Sequence, residues 1–252
     1  MLPVSTIIAL AVAAFCAGTV DAIAGGGGLI TLPALLTAGV PYQLALGTNK
    51  GGSMWGSGAA SVSFWRAGRV DRRQALFAFP LGIVGSVVGA NLVLGISKAT
   101  LRPVVIGMLI FAAVVLVIKK PTQASDEDRP KRRWVAALLA FFIGAYDGFF
   151  GPGTGTFLIV GFVALCGRSL LNASADAKIV NFASNVAAVA IFAWRGTILW
   201  QVALPMAAGQ LLGGLVGTRL ALRGGAKLVR TMVIVVSGAL IVKLAYDLIT
   251  GA

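Results

Sequence analysis

Long apolar segments separated by short polar breaks run along the chain of 252 residues. A helix that spans a lipid bilayer needs about 20 largely apolar residues. Spanning helices are predicted at 4–24, 45–65, 74–96, 101–118, 134–150, 175–194, 197–221 and 228–250. Two shorter apolar stretches, 28–40 and 155–167, each follow a cluster of glycines and predict half-length helices. The pattern therefore predicts an all-α membrane protein with about ten membrane segments.

Composition agrees with this class of protein and narrows the chemistry. Hydrophobic residues make up 58% of the chain and charged residues 12%, about half the charged share of a soluble domain. There is no histidine, which excludes the usual acid–base side chain, and neither a cofactor nor a metal site is expected. The net charge of +13 comes from clusters of Lys and Arg between apolar segments, as in cytoplasmic loops of membrane proteins. The expected partner is therefore the lipid bilayer and not a nucleic acid.

An aspartate followed by spaced glycines occurs twice, as Asp21-x-x-x-Gly25-x-Gly27 and as Asp147-x-x-x-Gly151-x-Gly153. Further along each half, Lys50 and Lys178 match at an offset of 128 residues. Because Asp and Lys are rare in this chain, the matches predict an internal repeat. We expect a first repeat at 1–118, a charged linker at 119–133 and a second repeat at 134–252, with five membrane segments in each repeat.

The distribution of basic residues predicts the orientation of the two repeats. The central linker contains Lys119, Lys120, Arg129, Lys131, Arg132 and Arg133, and is expected in the cytoplasm. Five crossings per repeat then orient the halves oppositely and place the clusters at 66–73 and 219–230 in the cytoplasm as well. If the short segments were re-entrant, the cluster at 219–230 would lie outside. We therefore expect ten crossings in inverted repeats, with both termini outside the cytoplasm.

The charged residues Asp21, Lys50, Asp147 and Lys178 all lie inside predicted membrane segments. Each costs about 2.5–3.5 kcal/mol at the centre of a spanning helix, so such residues usually face a cavity or a charged partner. Two roles stay open at this point. The lysines could bind an anion, or they could form structural ion pairs, Lys50 with Asp21 and Lys178 with Asp147 or Asp176.

The glycine clusters favour an anion site. Glycine allows the backbone to approach a ligand closely, and a helix that begins there presents free N–H groups and its positive dipole end. Two such helix starts with two lysines predict an anion site near the middle of the membrane. The predicted binding residues are Gly25, Gly26, Gly27, Gly28, Thr48, Asn49, Lys50, Gly151, Gly153, Thr154, Lys178, Asn181 and Asn185. Asp21 and Asp147 are the candidates for proton coupling, because a carboxylate in a medium of low dielectric constant is protonated more readily.

Other glycines have a simpler explanation. Gly82, Gly85 and Gly89 and their counterparts Gly209, Gly213 and Gly217 are spaced to let helices pack closely, and packing is their predicted role.

These motifs, in this order, resemble the TauE/SafE family of membrane transporters. The resemblance rests on Asp21-x-x-x-Gly25-Gly26-Gly27-Gly28, Gly47-Thr48-Asn49-Lys50, Gly151-Pro152-Gly153-Thr154-Gly155 and Lys178-x-x-Asn181-Phe182-x-Ser184-Asn185. It covers essentially the whole chain. It implies a protein of the bacterial inner (plasma) membrane that moves sulfite, sulfonates or related organosulfur anions across it, often outward and with proton coupling.

The sequence thus predicts a secondary transporter of a small anion. The alternatives are an anion channel, a transporter of a small carboxylate, a cation carrier built on Asp21 and Asp147, and a structural membrane protein. An enzyme is not expected: intramembrane aspartyl proteases place glycines before one catalytic aspartate, whereas here the glycines follow it. A homo-oligomer is left open.

Overall fold

A computed structural model describes residues 2–97, 100, 103–104, 107 and 133–250, without the side chains of 233–234 and 236–250. Within these residues the chain forms helices and no strands. The helices are α1 Val4–Ala24, α2 Gly28–Thr37, α3 Tyr42–Arg66, α4 Arg72–Leu94, α5 Arg133–Phe149, α6 Thr154–Cys166, α7 Leu170–Trp194 and α8 Trp200–Thr250. The all-helical prediction is confirmed for the described part of the chain.

The helix boundaries follow the apolar pattern closely. The two short helices, α2 and α6, lie where half-length helices are predicted. Helix α7 begins at Leu170, five residues before the predicted start. Helix α8 includes a break at Gly225, with φ 58° and ψ −156°, between the two predicted helices 197–221 and 228–250. The predicted helix 101–118 and the linker 119–133 lie largely outside the described residues.

The helices expose large apolar side chains and bury small ones. On α1, Val4, Ile8 and Val12 are 73%, 59% and 59% exposed, whereas Ala14 and Ala17 are completely buried. A protein in water would not expose such a stripe, but lipid chains can cover it. Helices α1, α4 and α7 are long and apolar enough to cross a membrane. Helix α3 is as long as α7, but its segment 47–52 is rich in glycine and polar residues.

Glycines form two close helix seams. A Cβ at Gly85 or Gly89 would overlap the backbone of α5, and a Cβ at Gly209 or Gly213 would overlap the backbone of α1. These contacts confirm the packing role that the sequence predicts for these four glycines. The seams are equivalent in the proposed repeat, since α1 packs on α8 and α5 packs on α4.

Helices α3 and α7 form the centre of the described structure. They contact each other, and in addition α3 packs on α8 and α7 packs on α4. Both carry long buried segments that contain the predicted lysines. The polar residues of the membrane segments are therefore brought together between these two helices and the breaks that precede α2 and α6.

Candidate functional site

The two breaks require glycine. Helix α1 ends at Ala24, and Gly25 and Gly26 follow with φ of 77° and 91°. Helix α5 ends at Phe149, and Gly151 and Gly153 follow with φ of 98° and 86°. Residues other than glycine rarely adopt these φ angles. The backbone can turn here only because these residues have no Cβ atom.

The two glycine turns touch each other. A Cβ at Gly25 would overlap the backbone of Gly155 and Thr156, and a Cβ at Gly28 would lie 3.2 Å from the Cα of Pro152. The N-termini of α2 and α6 therefore meet at the centre of the protein. The amides of Gly28 and Gly155 donate to no acceptor among the described residues, as is usual for the first turn of a helix.

Two buried ion pairs lie beside this meeting point. The Nζ of Lys50 is 2.7 Å from the Oδ1 of Asp147. The Nζ of Lys178 is 2.7 Å from the Oδ2 of Asp21. Each lysine therefore pairs with the aspartate of the other half of the sequence. The pairs that the sequence left open, Lys50–Asp21 and Lys178–Asp147, are wrong in their partners, because the Nζ of Lys50 lies beside Gly151 in the break that follows α5.

The Lys50–Asp147 pair is sealed inside a polar network. Asp147 also accepts hydrogen bonds from the hydroxyl of Ser184 and, at 3.5 Å, from the amide of Asn181. Lys50 donates a second bond to the Oδ1 of Asn185 at 3.0 Å. The side chains of Lys50 and Asp147 are only 4% and 2% exposed. Water therefore has little access to this pair in the described conformation.

The Lys178–Asp21 pair has a more open carboxylate. Asp21 is 19% exposed, whereas Lys178 is completely buried. The other carboxylate oxygen of Asp21 accepts a hydrogen bond from the backbone N–H of Gly27 at 3.1 Å, just before α2. Asp21 is therefore the more accessible of the two membrane aspartates.

A small cavity lies between the pairs and the glycine turns. Its volume is about 20 Å³, enough for roughly one water molecule. Its lining consists of Asp21, Gly26, Gly27, Gly28, Asn49, Lys50, Ser53, Asp147, Gly151, Gly153, Gly155, Asn181, Asn185 and Gln210. Most residues of the predicted anion site thus surround one polar space.

Four predicted residues lie outside that lining. The hydroxyl of Thr48 accepts a hydrogen bond from the backbone N–H of Leu199 at 3.0 Å. The hydroxyl of Thr154 donates to the carbonyl of Gly151. Gly25 lies where the two turns touch, and Lys178 reaches the site through Asp21. Thr48 and Thr154 therefore have structural hydrogen bonds.

Sequence reasoning missed Ser53 and Gln210. Ser53 is the counterpart of Asn181 at the repeat offset, so the repeat could have identified it. Gln210 is the single polar residue between Val202 and Val216, and an isolated polar side chain in an apolar segment could have identified it as a candidate site residue.

Asp176 belongs to a different buried cluster. Its carboxylate contacts the Nε of Arg168 at 2.6 Å and accepts hydrogen bonds from the backbone N–H of Asp71 and the side-chain amide of Gln74. The expectation that Asp176 could pair with Lys178 is therefore wrong. The cluster joins the start of α4 to α7 and to the segment that precedes it.

Replacing Asp176 with alanine should lower the free energy of unfolding by about 3–5 kcal/mol, because it breaks the buried ion pair with Arg168 and removes the acceptor of two further hydrogen bonds. Unfolding in detergent measures this loss. The matched control is Thr48→Val, which removes one neutral hydrogen bond at the equivalent position and should cost about 1 kcal/mol. Equal losses in the two variants would contradict a special role for the ion pair.

Comparisons with known proteins agree with these features. The family model described as "Sulfite exporter TauE/SafE" matches residues 10–244. The chain belongs to the TauE/SafE family. It is a multi-pass membrane transporter, and family members are named as transporters and not as enzymes.

Three relatives show the extent of the similarity. A "Probable membrane transporter protein ORF9" from Sinorhizobium sp is 42% identical, covering 94% of this chain and 92% of the relative. A "Probable membrane transporter protein" from Haemophilus influenzae is 41% identical, covering 92% of each. "Probable membrane transporter protein YfcA" from Escherichia coli is 38% identical, covering 93% and 87%. No solved structure matches the chain with statistical significance.

Proposed function

We propose that this TauE/SafE transporter is a secondary transporter of a small anion, with sulfite, sulfonates and other organosulfur anions as the first candidates. The observation that carries the proposal is the pair of buried lysines beside two converging helix N-termini. The helix ends contribute positive potential to the cavity, and each ammonium group adds to it when its aspartate is protonated or displaced. A cation carrier is disfavoured because both aspartates already hold a lysine ammonium group.

The aspartates suggest how a proton would be coupled to the anion. Each lysine is neutralised by a carboxylate in the described conformation. An incoming anion must displace that carboxylate, and a carboxylate that takes up a proton no longer holds the ammonium. Binding of one proton and one anion together would therefore keep the site electrically balanced. Asp21 is the first candidate for this role because it is the more exposed carboxylate.

Two inverted five-helix halves would provide alternating access to this site. Two equivalent hydrogen bonds support the repeat. The carboxylate of Asp176 accepts one from the backbone N–H of Asp71, and the hydroxyl of Thr48 accepts the other from the backbone N–H of Leu199. The two acceptors, Thr48 and Asp176, are 128 residues apart, and so are the two donors, Asp71 and Leu199. The proposed topology has ten crossings in a bacterial plasma membrane, with the central linker in the cytoplasm and both termini outside. Export is the proposed direction.

Replacing Asp21 with asparagine tests the coupling. The amide oxygen can still accept a hydrogen bond from Lys178, so the variant should bind sulfite with an affinity within a few-fold of wild type. Because the amide does not titrate, sulfite uptake into proteoliposomes should no longer respond to an imposed pH gradient. Uptake of labelled sulfite with and without the gradient measures this difference.

The comparison variant is Asp147→Asn, which changes the sealed carboxylate in the same way. We expect a loss of thermal stability there, since Asp147 is held by Lys50, Asn181 and Ser184. Gradient-driven uptake that persists in Asp21→Asn would reject Asp21 as the coupling residue.

The channel and carboxylate alternatives give different signals in the same vesicles. A channel would show single-channel conductance in a planar bilayer and no uphill movement of the anion. A carboxylate transporter would accumulate lactate in preference to sulfite. We expect uphill accumulation of the sulfur anion and no unitary conductance.

A further inference from the structure

Gln210 is a buried residue that lines the cavity, and its side chain forms no hydrogen bond with the described residues. It lies on α8, is only 3% exposed and lines the same cavity as Lys50 and Asn185. Among the described residues, no side-chain or backbone group forms a hydrogen bond with its amide. An amide that borders a small polar cavity and bonds to no protein group can be satisfied there only by a bound ligand or water.

The neighbouring helices leave space for this amide. A Cβ at Gly18 of α1 would lie 2.8 Å from the Oε1 of Gln210, and a Cβ at Gly56 of α3 would lie 2.6 Å from the same atom. Two helices therefore lack a side chain where the amide passes between them.

The amide is present in only one half of the protein. The position 128 residues earlier is Gly82, where a Cβ would meet the side chain of Val180 at 3.2 Å. No amide can therefore approach the cavity from α4 as Gln210 does from α8. The donors around the cavity are unequal on its two sides, and this inequality favours one orientation of a bound ligand.

We propose that Gln210 is a specificity-determining residue that donates a hydrogen bond from its amide to the transported anion. The proposal rests on the proposed function, because it requires an anion in this cavity. The lysines provide charge, which any small anion can use. A directional amide donor requires an acceptor atom at a fixed place and so distinguishes between anions of similar charge.

Replacing Gln210 with methionine tests this role. We expect the dissociation constant for the preferred anion to rise by about 10- to 100-fold, the effect of losing a hydrogen bond to a charged group. Without anion, the thermal unfolding temperature should stay the same or rise, since the substitution removes no hydrogen bond to a protein group. A merely structural glutamine would instead give lower stability.

The measurement is anion-dependent thermal stabilisation of the full chain in detergent, with sulfite, sulfate, thiosulfate, sulfoacetate, taurine, lactate and chloride as probes. Gln201→Met is the matched control, because Gln201 is an exposed glutamine on the same helix. A second variant, Gln210→Glu, keeps the shape but adds a negative charge. It should bind the anion more weakly still at neutral pH and recover part of the affinity on acidification.

The outcomes separate the two proposals. If wild type binds an anion and Gln210→Met binds it as well as Gln201→Met does, the role of Gln210 is overturned while the anion site stands. If Gln210→Met does not fold, the result for Gln210→Glu decides, and unchanged binding there overturns the role. If wild type responds to none of the probes, the proposed function and this inference both fail.

Discussion

Replacing Lys50 with methionine will abolish anion transport and lower stability, and a second substitution will restore only the stability. Methionine leaves the carboxylate of Asp147 buried without its cation, at a cost of about 3–5 kcal/mol. The double variant Lys50→Met/Asp147→Asn removes both charges, and the remaining bonds from Ser184 and Asn181 suit an amide oxygen. Its stability should therefore return to within about 1–2 kcal/mol of wild type.

Transport by this double variant separates a binding lysine from a structural one. If Lys50 attracts the anion, sulfite uptake stays at background although the protein is stable. If the ion pair only holds α3 against α5, the double variant transports sulfite. Lys227→Met, which removes an exposed lysine of α8, is the control for nonspecific loss of positive charge and should leave uptake unchanged. Unfolding and uptake are measured on the same preparations.

Replacing Gly25 with alanine should cause the second large effect. The angles at Gly25, φ 77° and ψ 175°, belong to a region that only glycine occupies readily. The added Cβ would also overlap the backbone of Gly155 and Thr156, so the two glycine turns could not approach each other. Backbone strain and overpacking together should cost about 3–5 kcal/mol, and transport should be lost.

Gly39→Ala is the matched control for this prediction. Gly39 has a similar φ of 80°, but no atom lies within 4 Å of the position of its Cβ. The control variant should lose only the free energy of unfolding that comes from backbone strain, about 1–2 kcal/mol, and should still transport sulfite. Equal losses of stability in Gly25→Ala and Gly39→Ala would show that contact between the two turns contributes nothing.

The candidate site was predictable from the sequence to the extent that its signals are local. Asp21, Lys50, Asp147 and Lys178 are conspicuous because charge is expensive in a membrane and rare in this chain. The glycine clusters indicated helix breaks because a backbone turn at positive φ needs glycine. These signals depend only on each residue and its neighbours, and the structure has the breaks at the expected places.

Partners could not be predicted in the same way. As one of two open roles for the lysines, the sequence suggested ion pairs within each half, whereas Lys178 pairs with Asp21 across 157 positions. Thr48 lies two residues before Lys50 in the chain, but its hydroxyl accepts a hydrogen bond from the backbone of Leu199. Gln210 lines the cavity, although the predicted role of its neighbours Gly209 and Gly213 is packing. Neighbours on a helix point in different directions, so the packing of the helices determines which of them meet.

By itself, the sequence determined that this is a helical membrane protein with two glycine breaks and four intramembrane charges. Transfer free energies and backbone geometry act on local segments, and a linear chain records them directly. Only the tertiary structure decided that the lysines pair across the halves, that Asp21 is the open carboxylate and that Gln210 lines the cavity. Those properties arise from close packing of distant helices, for which small residues along the seams allow the approach but do not specify which side chains meet.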